Sequence, residues 1–180
     1  MTRTLIHGAG RMGHQLLAQM PKFENIELAG VIAIAGAEDL PGTDCYASLE
    51  EFKTGADLVI DFTLPGGPQA IADWCGRNGA ALVSGTTGLT EEDMQALKDA
   101  AFKVPVLWAP NLSHGVALIN SLVRQAASAL GVDADIHVAE THHVHKIDAP
   151  SGTALSLAAT AVAGRGGSQD DGLTFSSVRE

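Results

Sequence analysis

Along residues 1–110, short apolar runs alternate with stretches in which apolar residues recur every three to four positions. The runs Thr4–His7, Ile26–Ile34, Asp57–Asp61, Ala80–Ser84 and Val104–Trp108 are compact, the pattern of parallel strands buried on both faces. Between them, Met12, Leu16 and Met20 space at four. Ala70, Ile71, Trp74 and Cys75 mark a second helical face, and Met94, Leu97 and Ala101 a third, which opens with Thr90 and Asp93 in the spacing of a capping box. This alternation predicts an α/β protein, a doubly wound parallel sheet with helices on both faces. Its ligands are expected beyond the carboxyl ends of the strands.

The pattern changes after residue 112. Val116, Ile119, Val123, Ala127 and Leu130 predict one long helix, and a strand follows near Ile136–Glu140. Ser151 stands as N-cap before the apolar-periodic run Ala154, Leu155, Ala158, Ala161 and Val162. Gly164 to Gly172 reads as a flexible, glycine-rich connection and Leu173–Arg179 as a last strand. The expected organisation is one domain over 1–112 and a second over 113–180, with no internal repeats.

Composition narrows the function classes. A chain of 180 residues that is 46% hydrophobic has room for one full domain and part of another. A net charge of −10 argues against nucleic acid and anionic membrane surfaces as partners. The N-terminus runs from Leu5-Ile6 straight into a glycine turn and lacks the apolar core of a signal peptide. The most apolar run, Leu28 to Ala37, is half of what a spanning helix requires. Cys45 and Cys75 form no disulfide framework, which fits a reducing compartment. A soluble, cytoplasmic protein is expected.

Candidate chemistry lies in four segments. Gly8-Ala9-Gly10-Arg11-Met12-Gly13 is a G-x-G-x-x-G turn between the first strand and the first helix, where glycines let a pyrophosphate approach the backbone. Ser84-Gly85-Thr86-Thr87-Gly88 and Trp108-Ala109-Pro110-Asn111-Leu112-Ser113 follow later strands and share the same end of the sheet. The residues after the second strand, Ala33, Ile34, Ala35 and Gly36, include neither an acidic reader of a ribose 2′-hydroxyl nor an arginine for a 2′-phosphate, so NADH and NADPH both stay open.

The densest chemistry is Glu140-Thr-His-His-Val-His-Lys-Ile-Asp-Ala-Pro-Ser-Gly-Thr153, which holds three of the seven histidines. Histidine transfers protons near neutral pH, and a lysine anchors or protonates. Pro150 ends the loop, and the helix start at Ser151-Gly152-Thr153 favours an anion such as a carboxylate. Metal is not expected. On a strand His143 and His145 would share a face with His142 pointing away, and no second ligand cluster stands elsewhere in the chain.

Taken in order, GAGRMG at 8–13, Asp61-Phe62-Thr63, SGTTG at 84–88, APNLSHGV at 109–116 and ETHHVHKIDAPSGTA at 140–154 resemble the family of 4-hydroxy-tetrahydrodipicolinate reductases, also called dihydrodipicolinate reductases. The resemblance implies a Rossmann domain binding NADH or NADPH, a second α/β domain binding a small cyclic dicarboxylate, and a homotetramer built through that second domain. It makes His142 the proton donor or acceptor and Lys146 the proton donor, with His143, Gly152 and Thr153 touching substrate. Cofactor contacts fall on Gly8, Ala9, Gly10, Arg11, Met12, Gly13, Gly85, Thr86, Thr87, Ala109, Pro110, Asn111 and Leu112. The chain departs from the family in a glycine turn one residue shorter, in His114 and Ala117, and in ending at Glu180 before the segments that complete the substrate-domain sheet. A fragment that binds cofactor and turns over poorly is therefore one expectation. The alternatives are a non-catalytic nucleotide-binding relative and another two-domain NAD(P)-dependent dehydrogenase.

Overall fold

The computed structural model describes residues 1–33, 40, 42–144, 149–166 and 172–180. They form two compact units, Met1–Pro110 and Asn111–Glu180.

In the first unit six parallel strands, β1 (Thr2–His7), β2 (Ile26–Ile32), β3 (Cys45–Tyr46), β4 (Leu58–Asp61), β5 (Ala81–Ser84) and β6 (Val106–Trp108), lie in the order β3-β2-β1-β4-β5-β6. This is the doubly wound order, and its direction reverses between β1 and β4. Alternation along β1 sends Leu5 and Ile6 into different cores. Leu5 joins Ile32, Val59 and Leu82 beneath α2 (Gly67–Asn78) and α3 (Glu91–Ala101), while Ile6 and Val31 pack with Leu16, Leu17 and Met20 of the α1 (Arg11–Gln19) side. Helices cover both faces, as the βαβ pattern predicts.

The expected capping box on α3 is present in both directions: Thr90 Oγ1 accepts from the Asp93 amide (3.1 Å) and Asp93 accepts from the Thr90 amide (3.1 Å). Asp93 is fully buried and also accepts from the amides of Gly66 and Gln69, so one carboxylate fixes the starts of both α2 and α3. Burial raises its pKa, but the amide hydrogen bonds from Gly66, Thr90 and Gln69 outweigh burial and hold it below the ordinary value.

One strand boundary is corrected and one strand is added. Val104, expected in β6, donates its amide to Ala100 and so belongs to the turn ending α3; Pro105 follows before β6 begins. The two-residue strand β3 was not foreseen, because it is too short to leave a periodic signal. Ile34, Ala35 and Gly36, where the cofactor reader was sought, lie outside the described residues.

The second unit holds α4 (His114–Leu130), β7 (Ile136–His142), α5 (Gly152–Arg165) and β8 (Leu173–Arg179), with β7 and β8 paired in parallel. Ser151 caps α5 by accepting from the Ala154 amide at 3.1 Å, and the expected apolar positions Ala154, Ala158, Ala161 and Val162 are buried. Gly164 is not part of a loose connection: it lies in α5 against α4, where a Cβ would come within 2.6 Å of the Arg124 carbonyl oxygen. Residues 167–171 lie outside the described set.

The helix His114–Asp133, α4 with the turn that follows, has a mean hydropathy of 1.2 and is long and apolar enough, by length and composition only, to cross a membrane. A search for unbroken apolar runs misses it because Asn120, Ser121, Arg124 and Gln125 interrupt the sequence. It packs on α5, with Thr160 Oγ1 donating to Asn120 Oδ1 at 3.0 Å, and leaves Leu118, Ile119 and Leu122 at least half exposed.

Candidate functional site

The last residues of β1, β4, β5 and β6 form one row across the sheet, His7 opposite Asp61, Asp61 opposite Ser84, Ser84 opposite Trp108. The expected nucleotide segments leave from this row. Gly8 has φ +106°, where glycine alone is unstrained, and a Cβ there would come within 2.6 Å of the Phe62 carbonyl oxygen. A Cβ on Gly13 would strike the Gly8 carbonyl oxygen, so this glycine lets α1 close on the end of β1. Gly10 differs: its backbone is extended, it caps α1 without a side-chain hydrogen bond, and a Cβ would meet nothing within 4 Å.

The first turn of α1 carries no acidic residue, and Arg11 and Met12 beside it are exposed. Unpaired amides at a helix start, open space over Gly10 and an adjacent cation suit the pyrophosphate of a dinucleotide.

The other expected cofactor residues are placed unevenly. Thr87 is exposed, whereas Thr86 is 2% exposed. Its hydroxyl donates to Asp61 Oδ2 (2.8 Å) and accepts from the Thr63 amide (3.0 Å), and its carbonyl accepts from Trp108 Nε1 (3.0 Å). That hydroxyl is committed within the protein. Gly85 faces the Phe62 ring, which a Cβ would strike. Ala109 donates its amide to Ser84, and Pro110 ends the first unit. Asn111 and Leu112 fall in the second unit; Asn111 Nδ2 donates to Thr153 Oγ1 at 3.4 Å, and Leu112 is half exposed.

In the second unit β7 runs two residues beyond its expected end at Glu140, because pairing with β8 continues to His142 opposite Arg179. Residues two apart on a strand share a face. Glu140 Oε2 therefore meets His142 Nε2 at 3.0 Å, while its Oε1 accepts from the Ser151 amide (2.9 Å) and from Ser177 Oγ (2.8 Å). Hydrogen bonds from Ser151, opposed by a smaller effect of burial and reinforced by Ser177 and His142, bring the Glu140 carboxyl down to about 2. An ionised carboxylate only accepts, so His142 Nε2 carries the hydrogen and Nδ1 is left to take up or release a proton.

Ser151 and its neighbours complete the arrangement. The Ser151 side chain caps the third amide of α5, leaving those of Gly152 and Thr153 without a helical acceptor. Gly152 is exposed with open space where a Cβ would be, and His143 is exposed. His145 and Lys146 lie outside the described residues. Among the described residues no group of three His, Cys, Asp or Glu side chains is placed to hold a metal. Burial first, and then the Asp61 charge, push the Cys75 thiol up to about 12, which removes it as a nucleophile.

The side chain that the sequence leaves without a part in this arrangement is Glu140. Its signal was the two-residue spacing to His142, hidden by ending the strand at Glu140. Because its folded value lies below the ordinary 4.5, the stabilisation from Glu140 is complete above about pH 4.5 and is lost as pH falls toward about 2. A carboxyl-carbon NMR titration of Glu140 is expected to give a midpoint near 2; one near 4.5 would show that Ser151, Ser177 and His142 do not hold the charge.

A Rossmann sheet with a glycine turn at its switch point, joined in sequence to an α/β unit with a carboxylate-tethered histidine, defines a nucleotide-dependent oxidoreductase plan. Residues 2–112 match the model "Dihydrodipicolinate reductase, N-terminus" and residues 115–180 match "Dihydrodipicolinate reductase, C-terminus". The chain belongs to the dihydrodipicolinate reductase family, whose members are nicotinamide-nucleotide-dependent oxidoreductases.

It is 45% identical over 173 residues to 4-hydroxy-tetrahydrodipicolinate reductase of Stenotrophomonas maltophilia, covering 93% of this chain and 71% of that one. With the enzyme of the same name from Xanthomonas axonopodis pv. citri it shares 44% over 160 residues, 86% of this chain and 66% of that one. The chain thus spans about two thirds of the length of these curated relatives. Among solved structures, dipicolinate-bound dihydrodipicolinate reductase from Paenisporosarcina sp. TG-14 superposes with a TM-score of 0.71 at 27% identity, covering 99% of this chain and 79% of that one.

Proposed function

We propose that the protein reduces 4-hydroxy-tetrahydrodipicolinate to tetrahydrodipicolinate with NADH or NADPH, a step in diaminopimelate and lysine biosynthesis. The observation that carries this reading is the Glu140 carboxylate, which orients the His142 imidazole and pins the start of α5 through the Ser151 amide at 2.9 Å. One side chain thereby ties a proton-transfer group to a helix start suited to a carboxylate. The Paenisporosarcina reductase holds dipicolinate, a cyclic dicarboxylate of the class such a helix start would accept.

When bound, the nicotinamide supplies the hydride that reduces the unsaturated ring, while the 4-hydroxyl leaves as water. The chain's own residues do the rest. Gly8, Ala9, Gly10, Arg11, Met12 and Gly13 hold the pyrophosphate, and Gly85, Thr86, Thr87, Ala109, Pro110, Asn111 and Leu112 line the cofactor through backbone and exposed side chains. Gly152 and Thr153 amides bind a substrate carboxylate, and His143 contacts the ring substituents. His142 exchanges a proton at Nδ1, and Lys146 donates the proton that balances the hydride. The protein works in the cytoplasm as a homotetramer assembled through its second unit, with no nucleic acid or membrane partner.

The test is oxidation of NADH and NADPH, in parallel, on freshly generated 4-hydroxy-tetrahydrodipicolinate, with binding of each cofactor recorded on the same sample. Turnover with at least one cofactor is expected. Binding without turnover would overturn the reductase reading for this chain in favour of a non-catalytic nucleotide-binding relative or an inactive fragment.

A further inference from the structure

Asp61 is fully buried at the carboxyl end of β4, beside the point where the sheet order reverses. Its two oxygens accept four hydrogen bonds. His7 Nδ1 (2.9 Å) and Thr63 Oγ1 (2.8 Å) meet Oδ1, while Ser84 Oγ (2.6 Å) and Thr86 Oγ1 (2.8 Å) meet Oδ2. These donors come from the ends of two strands flanking β4, β1 and β5, and from the loops that follow β4 and β5. The next residues along the chain after the three strands are Gly8, Phe62 and Gly85.

Phe62 also joins these loops directly. Its carbonyl faces Gly8 and its ring faces Gly85, in both cases closely enough to exclude a Cβ.

We infer that Asp61, held by His7, is a positioning residue for the nucleotide site, setting the mutual placement of the Gly8 turn, the Phe62-Thr63 turn and the Gly85-Thr86 turn. This deepens the nucleotide-binding part of the proposed function and rests on it.

Three physical reasons support the inference. A buried carboxylate contributes little net stability compared with apolar packing, so its presence at the loop-bearing end of an otherwise apolar sheet points to specification of geometry there. The network is also closed, with both oxygens doubly hydrogen-bonded, so moving any one loop leaves a buried polar group unsatisfied. Third, burial raises the Asp61 pKa, yet hydrogen bonds from His7, Ser84 and Thr63 bring it below the ordinary value, so the anion that gathers these donors is the species present at neutral pH. Thr86 serves the hub with its hydroxyl, which accounts for its burial within a segment expected to bind cofactor.

The test compares His7→Leu, His7→Asn and Asp61→Asn by NADH and NADPH fluorescence titration, with circular dichroism melts on the same samples. His7→Leu removes one donor at little change in volume, while the Asn side-chain nitrogen of His7→Asn stands close to where Nδ1 was. Expected are a cooperative melt for all three and a cofactor Kd raised about tenfold in His7→Leu and Asp61→Asn, each mismatching one buried hydrogen bond. His7→Asn is expected to restore the Kd to within about threefold.

A folded His7→Leu or Asp61→Asn with unchanged Kd would overturn the positioning role, and so would a His7→Asn as weak as His7→Leu. Should Asp61→Asn fail to melt cooperatively, the two His7 variants decide. Because the readout is binding, a wild-type chain that binds cofactor without turnover removes the reductase reading and leaves this test intact. A wild-type chain that binds neither cofactor removes both.

Discussion

Replacing His142 by glutamine is expected to lower turnover by about two to four orders of magnitude, the usual contribution of a positioned general acid or base, while cofactor affinity changes by less than about twofold. The substitution is chosen for its geometry. A glutamine amide nitrogen can still donate to Glu140 Oε2, as His142 Nε2 does at 3.0 Å, so the end of β7 and the start of α5 keep their tether. What is lost is the second ring nitrogen, and with it any group there that exchanges a proton near neutral pH. Glu140→Ala makes the complementary cut: it frees the imidazole and the Ser151 amide together, so turnover should fall with substrate affinity rather than alone. Unchanged turnover in His142→Gln, measured as cofactor oxidation under saturating substrate, would remove His142 from proton transfer and leave its bond to Glu140 as a structural contact.

These experiments address a part of the molecule that was only half legible in the sequence. Period and composition located the loop, because three histidines in four positions before Pro150 and a capping serine have no ordinary structural reason to coincide. Glu140 stands in the same segment, two residues from His142. Its role depends on the strand continuing to His142, which follows from pairing with β8, and β8 begins thirty-one residues after His142. The contact with Ser177 is set by the same pairing.

The sheet shows the same division. Strands buried on both faces announce themselves as apolar runs, so β1, β2, β4 and β5 were readable to within two residues at each end. The polar row that closes those strands was not. His7 and Asp61 stand fifty-four residues apart, and what brings them within 2.9 Å is the register of two parallel strands, which no local spacing encodes. The family resemblance makes Thr86 a cofactor contact. Only the fold shows that its hydroxyl turns inward to Asp61. Lys146, drawn from the same loop as His142, lies outside the described residues and keeps its role as a proposal.

The glycine turn supplies the sharpest separation of folding from binding. A methyl group added at Gly13 strikes the Gly8 carbonyl oxygen, a backbone atom that cannot step aside without moving β1 away from α1. Gly13→Ala is therefore expected to cost about 1–3 kcal/mol of stability, the range for forced overpacking, and to lose cofactor binding as a consequence. The same methyl at Gly10 meets nothing within 4 Å on a backbone at φ −75°, which any residue adopts. Gly10→Ala should fold and lose only about 1 kcal/mol of stability, since glycine is favoured over alanine at an N-cap even where no side chain caps the helix. Yet the space it fills is where a pyrophosphate would rest against the first amides of α1, so its cofactor Kd should rise at least tenfold, on the order of 1.4 kcal/mol. Urea unfolding and fluorescence titration on both variants read the two effects independently. A Gly10→Ala protein that binds NADH and NADPH like wild type would mean the dinucleotide does not approach α1 through this turn.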